Sequence, residues 1–290
     1  MFCDEPKLRT EIKINSKNYP KFDEKSIWCG VGSCFSENLL SLLEQCGFEV
    51  SQNPSGIIYN SYSISQIIAR AIDENYYAED DFFEHANLWH SWEHHGRFSN
   101  SDLGEAVKNA NISLKKFREV LKVAEAIVLT PSSSVLYCYN NDIVVNCHKV
   151  NNNDFTERAL SPEENRKYLT EAVNKIQSFN AKIKIIFTLS PVRHYPGNLV
   201  LNARSKANLL SALHEVCEQF PECVYFPSFE ILHDELRDYR FYKTDMLHPS
   251  EQAVQIICSR FIKIFFKNNA IDIMNKKLSK TKLHNHKKIK

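Results

Sequence analysis

Short apolar runs alternate along the chain with longer segments whose apolar positions recur at helical spacing. The runs predict buried strands at residues 26–31, 48–50, 126–130, 183–189 and 224–226. The longer segments have the three- and four-residue spacing of amphipathic helices, at residues 35–46, 61–75, 113–123, 161–179, 205–220 and 249–265. Strands that alternate with helices form parallel sheets covered on both faces, so the pattern predicts an α/β fold with a mostly parallel sheet.

The rest of the chain is less regular. Two apolar runs around Asn140-Asn141-Asp142 predict a β-hairpin within residues 135–146, whereas residues 80–100 are rich in aromatic side chains and His and show no clear period. We expect one domain over residues 1–270, because no repeat or linker interrupts it. Residues 271–290 carry seven Lys and one Asp with few large apolar side chains, which predicts a basic, disordered tail.

Composition narrows the class of protein. The 290 residues are 43% hydrophobic and 24% charged, as in soluble globular proteins, and the net charge of +1 gives no support for nucleic-acid binding. Nine Cys without a CxxC pair favour a reducing compartment. The N-terminus lacks the features of a signal peptide, and no apolar stretch is long enough to span a bilayer. We therefore expect a cytoplasmic protein.

Polar residues with catalytic potential follow the predicted strands, at the sheet edge where ligands bind. Ser33 follows Gly32 at the turn between the first strand and the first helix. Asp245 and His248 are three positions apart, so on one turn a carboxylate can hold an imidazole ring. Together these side chains provide a nucleophile, a general base and a group that orients the base.

The segment Gly32-Ser33-Cys34-Phe35-Ser36 resembles the signature that names the GSCFA family, which is related to the SGNH/GDSL hydrolases. Other segments resemble family segments in the same order: residues 53–60, 89–92, 146–149, 190–194, 205–206, 236–242 and 245–249. The resemblance implies a three-layer α/β/α fold with an SGNH-like site. In that site Ser33 is the nucleophile, His248 the base and Asp245 the partner of the base.

The resemblance also implies an oxyanion hole made of the nucleophile's own N–H, a glycine N–H and an asparagine side chain. Gly56 is our candidate for the glycine, with Asn53 nearby. The chain departs from the pattern after the strand at residues 126–130, where it has neither Gly nor Asn. Losing one such donor raises a barrier by about 2.7–4 kcal/mol. The candidates to replace the missing donor are Ser132, Ser133 and Asn146.

Further side chains near the predicted site have alternative interpretations. Cys34 is a second candidate nucleophile, because a helix N-terminus lowers the pKa of a thiol, but the resemblance favours Ser33. His148 and His194 contact substrate or are satisfied, partly buried residues, and Arg193 is a candidate clamp for an anionic group. Arg237 and Arg240 either share that role or brace the Asp245 loop. Lys206 is either structural or a counter-charge near the site.

Four His stand close together in sequence, at positions 85, 90, 94 and 95. His90 and His94 have the spacing of two metal ligands on one face of a helix. The Trp and Phe between them favour an aromatic wall that contacts substrate, so we expect no metal.

The sequence thus predicts a serine esterase or acyltransferase that needs no cofactor. Its expected substrate is an acyl ester of a small molecule or a carbohydrate. The carbohydrate follows from the related hydrolases and from the Trp- and His-rich residues 85–98. Two alternatives are a non-catalytic binding module on the same fold and a metal-dependent hydrolase built on His90 and His94. The oligomeric state is left open.

Overall fold

The computed structural model describes residues 10–194 and 198–288. In chain order, the strands within these residues are β1 (Trp28–Gly32), β2 (Val50–Gln52), β3 (Phe83–His85), β4 (Leu88–His90), β5 (Ala126–Thr130), β6 (Val135–Tyr139), β7 (Asp142–Val144), β8 (Phe155–Ala159), β9 (Lys184–Phe187) and β10 (Cys223–Tyr225). The helices are α1 (Cys34–Gln45), α2 (Ser61–Ile72), α3 (Leu103–Val123), α4 (Pro162–Phe179), α5 (Leu199–Gln219), α6 (Ser228–Glu230), α7 (Glu251–Phe265) and α8 (Asn268–Lys288). A π-helical turn, Ile231–Leu236, continues α6.

Five strands form a parallel sheet in the order β10-β9-β5-β1-β2, which confirms the predicted mostly parallel sheet. In the centre, β1 pairs with β5 along its whole length, from Trp28 opposite Ala126 to Gly32 opposite Thr130. All residues of both strands are buried. Because parallel strands end at the same edge of a sheet, the loops after β1, β5 and β9 lie next to one another.

Helices cover both faces of this sheet, so the predicted three-layer α/β/α fold is confirmed. Ile127 and Leu129 of β5 pack in the core on one face, together with α2, α3, α4 and α5. Val128 points to the other face, where α1 and α7 contribute the core side chains. This alternation is the two-residue period of a strand buried on both sides.

Two small antiparallel sheets lie outside the central one. The predicted hairpin is present as β6 and β7, and Asn140 and Asn141 take the positive φ values, 49° and 70°, of a tight two-residue turn. β8 adds a third strand to it, which the sequence analysis did not predict. The segment without a clear period, residues 80–100, contains the two-stranded pair of β3 and β4.

The C-terminal segment is helical where the sequence predicted a frayed tail. α8 begins at Asn268, and its side chains Ala270 and Met274 are buried in the core that α7 also lines. Met274 provides the apolar contact that a purely basic tail would lack. The boundary predicted at residue 270 falls inside this helix, while the assignment of residues 1–270 to one domain stays a prediction. Within the part of the chain that the structure describes, no helix combines the length and the apolar character needed to cross a membrane.

Candidate active site

Ser33 lies at the junction of β1 and α1, at the N-cap position of the helix. Gly32, just before it, has a φ of 150°, and a Cβ there would lie 2.3 Å from the carbonyl oxygen of Thr130. Only glycine allows this close approach of two strand ends. The Ser33 side chain is buried, and its Oγ has no hydrogen-bond partner among the described residues. A free hydroxyl therefore stands at the positive end of α1.

Asp245 and His248 form the pair that their spacing predicted. Nδ1 of His248 lies 2.7 Å from Oδ2 of Asp245, and Oδ1 accepts the backbone N–H groups of Leu247 at 2.8 Å and His248 at 3.0 Å. These backbone donors, and then the imidazole, lower the pKa of Asp245 to about 2. The ionised carboxylate requires a proton on Nδ1, which leaves Nε2 as an acceptor.

The loop that carries this pair is held in place from both sides. Lys243 N–H donates to His248 O at 2.8 Å, and Met246 between them has a φ of 59°, a left-handed conformation. Arg193 N–H, from the loop after β9, donates to Leu247 O at 3.1 Å. The loop after β9 thus anchors the backbone next to His248 at the sheet edge.

A cavity of about 690 Å³ lies between this loop and α1. His248 and Asp245 line it together with Cys34, the residue next to Ser33. Their side chains are about 40% exposed, at 41% and 42%, so the pair is open to solvent and to a ligand. Ser33 is buried beside Cys34, and its hydroxyl makes no hydrogen bond to the His248 ring.

The backbone amides expected in the oxyanion hole have partners already. Ser33 N–H donates to Thr130 O at 3.0 Å, and Gly56 N–H donates to Asn53 O at 2.8 Å. Asn53 accepts the N–H of Gly32 on Oδ1 at 2.9 Å and donates through Nδ2 to a carboxylate of α1 at 3.1 Å. The side chain of Asn53 therefore connects the end of β1 to α1, which is a structural role. The first amide of α1, by contrast, has no acceptor within the helix.

The serines after β5 differ in what they bind. Ser133 Oγ lies 3.2 Å from Ser205 Oγ and accepts from Val135 N–H, and Ser134 Oγ donates to Ser205 O at 2.6 Å. Both hydroxyls thus hold the loop against α5. Among the described residues, the hydrogen-bond partner of Ser132 Oγ is Nζ of Lys206, which donates to it at 3.5 Å, and the Ser132 proton has no acceptor. Of the two serines in this loop that we predicted as replacements for the missing oxyanion-hole donor, Ser132 is the one whose hydroxyl proton is free to donate.

A family model supplies the decisive comparison: residues 28–261 match the model of the GSCFA family. The chain belongs to the GSCFA family. The match contains β1 with Ser33 at its end, the loop with Asp245 and His248, and most of α7. No curated protein sequence matches the chain.

Solved structures resemble this GSCFA protein at low sequence identity. One is a protein proposed to be a platelet activating factor from Streptococcus pneumonia, at 12% identity and a TM-score of 0.43, with 82% of this chain and 83% of the other covered. Another is a carbohydrate esterase family 3 protein from Talaromyces cellulolyticus, at 9% identity and a TM-score of 0.43, with 86% and 99% covered.

Cys34 of the GSCFA signature lines the cavity but is poorly suited to be the nucleophile. Burial, and then the charge of Glu37, raise the pKa of its thiol. These effects outweigh the opposing influence of the helix N-terminus, so the thiol stays protonated at neutral pH.

Arg193, His194 and Asn146 lie to the side of the His248 cavity. The guanidinium of Arg193 stacks 4.7 Å from the ring centroid of Tyr242, which braces the chain leading to the Asp245 loop. His194 and Asn146 line a separate cavity of about 170 Å³ with Tyr59. The backbone N–H of His194 donates to Oδ1 of Asn202. Burial, followed by the charge of Lys206, lowers the pKa of the His194 ring to about 4.

His85, His90, His94 and His148 make ring contacts with one another or with neighbouring aromatic side chains. His90 lies in β4 rather than in a helix, and its ring nitrogens face Ser99 Oγ and the carbonyl of His85. His148 Nε2 lies 2.8 Å from Ser91 O. The helical spacing that suggested a metal site is therefore absent. Across residues 10–194 and 198–279, no three His, Cys, Asp or Glu gather as metal ligands would.

For Lys206 the sequence analysis left two roles open, a structural one and that of a counter-charge near the site. Lys206 lies in α5, 2% exposed, and donates to the carbonyl of Ser190 at 2.7 Å. Burial lowers the pKa of its ammonium group to about 7. The signal in the sequence was helical spacing: Asn202 and Lys206 extend the buried face of Leu209 and Leu213 towards the N-terminus of the helix.

Proposed function

We propose that this GSCFA protein is a serine hydrolase or acyltransferase that cleaves an acyl ester at Ser33. The observation that supports it is the Asp245–His248 pair, with 2.7 Å between carboxylate and imidazole, in a cavity that Cys34 also lines. A free hydroxyl precedes Cys34 directly, so the nucleophile and the base belong to one edge of the sheet.

The reaction follows from these groups. Ser33 Oγ attacks the carbonyl carbon of the ester while its proton passes to Nε2 of His248. Asp245 keeps Nδ1 protonated and stabilises the imidazolium. The tetrahedral intermediate then collapses, and the leaving alkoxide takes the proton from Nε2. Water, or the hydroxyl of an acceptor, next attacks the acyl-serine with His248 again as base, which releases Ser33.

This mechanism requires a hydrogen bond from Ser33 to His248 that the structure does not contain. Such bonds are often long without substrate and tighten in the Michaelis complex. The side chains of His248 and Asp245 are about 40% exposed, so they are not fixed by packing. A rotation of the His248 ring or of the Ser33 hydroxyl on substrate binding is therefore part of the proposal.

A fluorophosphonate probe tests the proposal without knowledge of the acyl group. The folded wild type should be labelled, and mass spectrometry of its peptides should place the label on Ser33. Ser33→Ala should abolish labelling. Ser41→Ala is the matched control, because Ser41 is on the same helix and, among the described residues, its Oγ accepts a hydrogen bond from Gln52 at 3.3 Å. A wild type that is never labelled, or an S33A variant labelled as fast as wild type, rejects Ser33 as nucleophile.

A non-catalytic binding module on the same fold is the second candidate. The occupied amides of Ser33 and Gly56 favour it, because an oxyanion hole needs donors that are free. The same probe separates the two functions, since a binding module has no activated hydroxyl. Labelling at Ser33 excludes it, and absence of labelling in folded protein supports it.

The carbohydrate part of the substrate stays a prediction. Trp92 stacks on Phe83 with 3.9 Å between ring centroids and packs against Tyr139 at 4.8 Å. These rings contact one another rather than the cavity of His248. Assays with acetylated sugars beside p-nitrophenyl acetate, on wild type and S33A, test the sugar preference directly.

A further inference from the structure

Lys206 is a buried cation that the reaction described above does not use. Its Nζ donates to Ser190 O at 2.7 Å, lies 3.5 Å from Ser132 Oγ, and stands 5.8 Å from the ring centroid of Phe229. None of the described carboxylates pairs with it. Burying an ammonium group without a counter-charge is strongly unfavourable, so a protein that keeps one there has a use for the charge.

The titratable groups that interact electrostatically with Lys206 come from three different elements. They are Cys34 at the start of α1, His194 after β9, and His233 in the π-helical turn. Burial is the main cause that lowers the pKa of each imidazole to about 4 and raises that of the thiol. All three are therefore neutral at pH 7, and burial lowers the pKa of Lys206 itself to about 7. Among these four groups, Lys206 is the one whose charge changes near neutral pH.

Strand register places the loop that Lys206 contacts at the sheet edge where the reacting serine lies. Gly32 lies opposite Thr130, and Ser33 N–H donates to Thr130 O at 3.0 Å. Ser132, which Lys206 contacts, follows Thr130 by two residues at the same sheet edge. The ammonium also influences the thiol of Cys34, the residue after Ser33.

Ser132 is the group through which this charge can act. Its Oγ lies near Nζ, and its proton has no acceptor among the described residues. An ammonium next to a hydroxyl oxygen polarises the O–H bond and strengthens the hydrogen bond that this hydroxyl donates.

We propose that Lys206 is a positioning residue that, through the hydroxyl of Ser132, stabilises the negative charge on the acyl oxygen when Ser33 attacks. The inference rests on the proposed hydrolase function. As the Ser33 Oγ–C bond forms, the electron pair of the carbonyl π bond moves to oxygen, and the Ser33 proton goes to His248. The Ser132 O–H donates to this oxyanion and the ammonium neutralises the added charge. Collapse of the intermediate restores the carbonyl, and no proton leaves Lys206.

Phosphonylation by a fluorophosphonate tests the inference, because negative charge also develops on its phosphoryl oxygen. In Lys206→Met we expect the maximal labelling rate of Ser33 to fall about 10²-fold, with the half-saturating probe concentration little changed. Ser132→Ala should fall by a similar factor. In wild type the rate should decline as pH rises above about 7. Lys206→Arg keeps its charge and should retain its rate up to pH 9.

Ser205→Ala is the matched control for a purely structural role. Ser205 holds the same loop, since its Oγ accepts Ser134 N–H at 2.7 Å, but it carries no charge. We expect a labelling rate close to wild type, with folding checked by thermal unfolding. If neither Lys206 variant folds, Ser132→Ala decides the matter.

The outcomes separate this inference from the proposed function. Labelling of wild type but not of S33A, with K206M or S132A labelled at the wild-type rate, overturns the role of Lys206 alone. A K206M variant that changes only the half-saturating concentration assigns Lys206 to substrate binding and also overturns it. A wild type that is not labelled overturns both proposals.

Discussion

Asp245 uses one carboxylate oxygen for the His248 ring, 2.7 Å from Nδ1, and the other for the backbone of the loop that carries that ring. The same side chain thus sets the tautomer of the imidazole and the shape of its loop. Because the backbone donors contribute most to lowering its pKa, the carboxylate stays ionised even when the imidazole is neutral.

Asp245→Asn should lower the rate of Ser33 labelling by about 10³–10⁴-fold. The amide removes the negative charge and, with its NH₂ towards Nδ1, favours the tautomer in which Nε2 cannot accept a proton. Asp238→Asn is the matched control, since Asp238 also accepts a backbone N–H, from Arg240, but lies outside the cavity. A D245N variant as fast as D238N contradicts the role of Asp245.

The fold could be predicted because the apolar residues of its core follow the regular spacing of buried strands and amphipathic helices. β1 and β5 are continuous apolar runs, and α1 and α7 present one apolar face. β8 was missed because its central residues are exposed and polar, so neither apolar run nor alternation marks it. Its position is determined by pairing with β6, which is a tertiary interaction.

The site could be predicted in part. The spacing of Asp245 and His248 predicted their contact, and the turn after Gly32 predicted the place of Ser33. The sequence does not show which backbone N–H groups already have an acceptor. Gly56 was therefore predicted as an oxyanion-hole donor, although its N–H donates to Asn53 O within the same turn. The role of Lys206 could not be predicted, because lysine side chains are normally exposed and only the packing of α5 shows that this one is buried.

Gly32→Ala should destabilise the fold by roughly 2 kcal/mol or more, because its new Cβ would collide with the backbone of Thr130 at a left-handed φ. Gly96→Ala is the control, because no atom lies within 4 Å of the position its Cβ would take. Urea unfolding should show a lower midpoint for G32A and a midpoint close to that of wild type for G96A. Equal midpoints for G32A and wild type would show that the strand end relaxes at no cost.

Cys34 should react with iodoacetamide at pH 7 more slowly than a small free thiol such as glutathione. Burial and the nearby charge of Glu37 raise its pKa, and only the thiolate is nucleophilic. Mass spectrometry of the peptide containing residues 33–36 follows the alkylation. Faster reaction than glutathione would show an activated thiol and would reopen Cys34 as the nucleophile.

The pH dependence of stability should reveal the buried Lys206. Its folded-state pKa of about 7 lies below the ordinary lysine value of 10.5, so between these pH values the unfolded chain holds a proton that the folded chain lacks. The free energy of unfolding should therefore rise with pH in this window, with a contribution from Lys206 of up to about 1.4 kcal/mol per pH unit. Lys206→Met removes the titrating group and should remove that rise. The exposed Lys122→Met should keep it. Urea unfolding of the three proteins at pH 7, 8 and 9 measures the slopes, and a K206M slope equal to that of wild type would mean that Lys206 is not the buried titrating group.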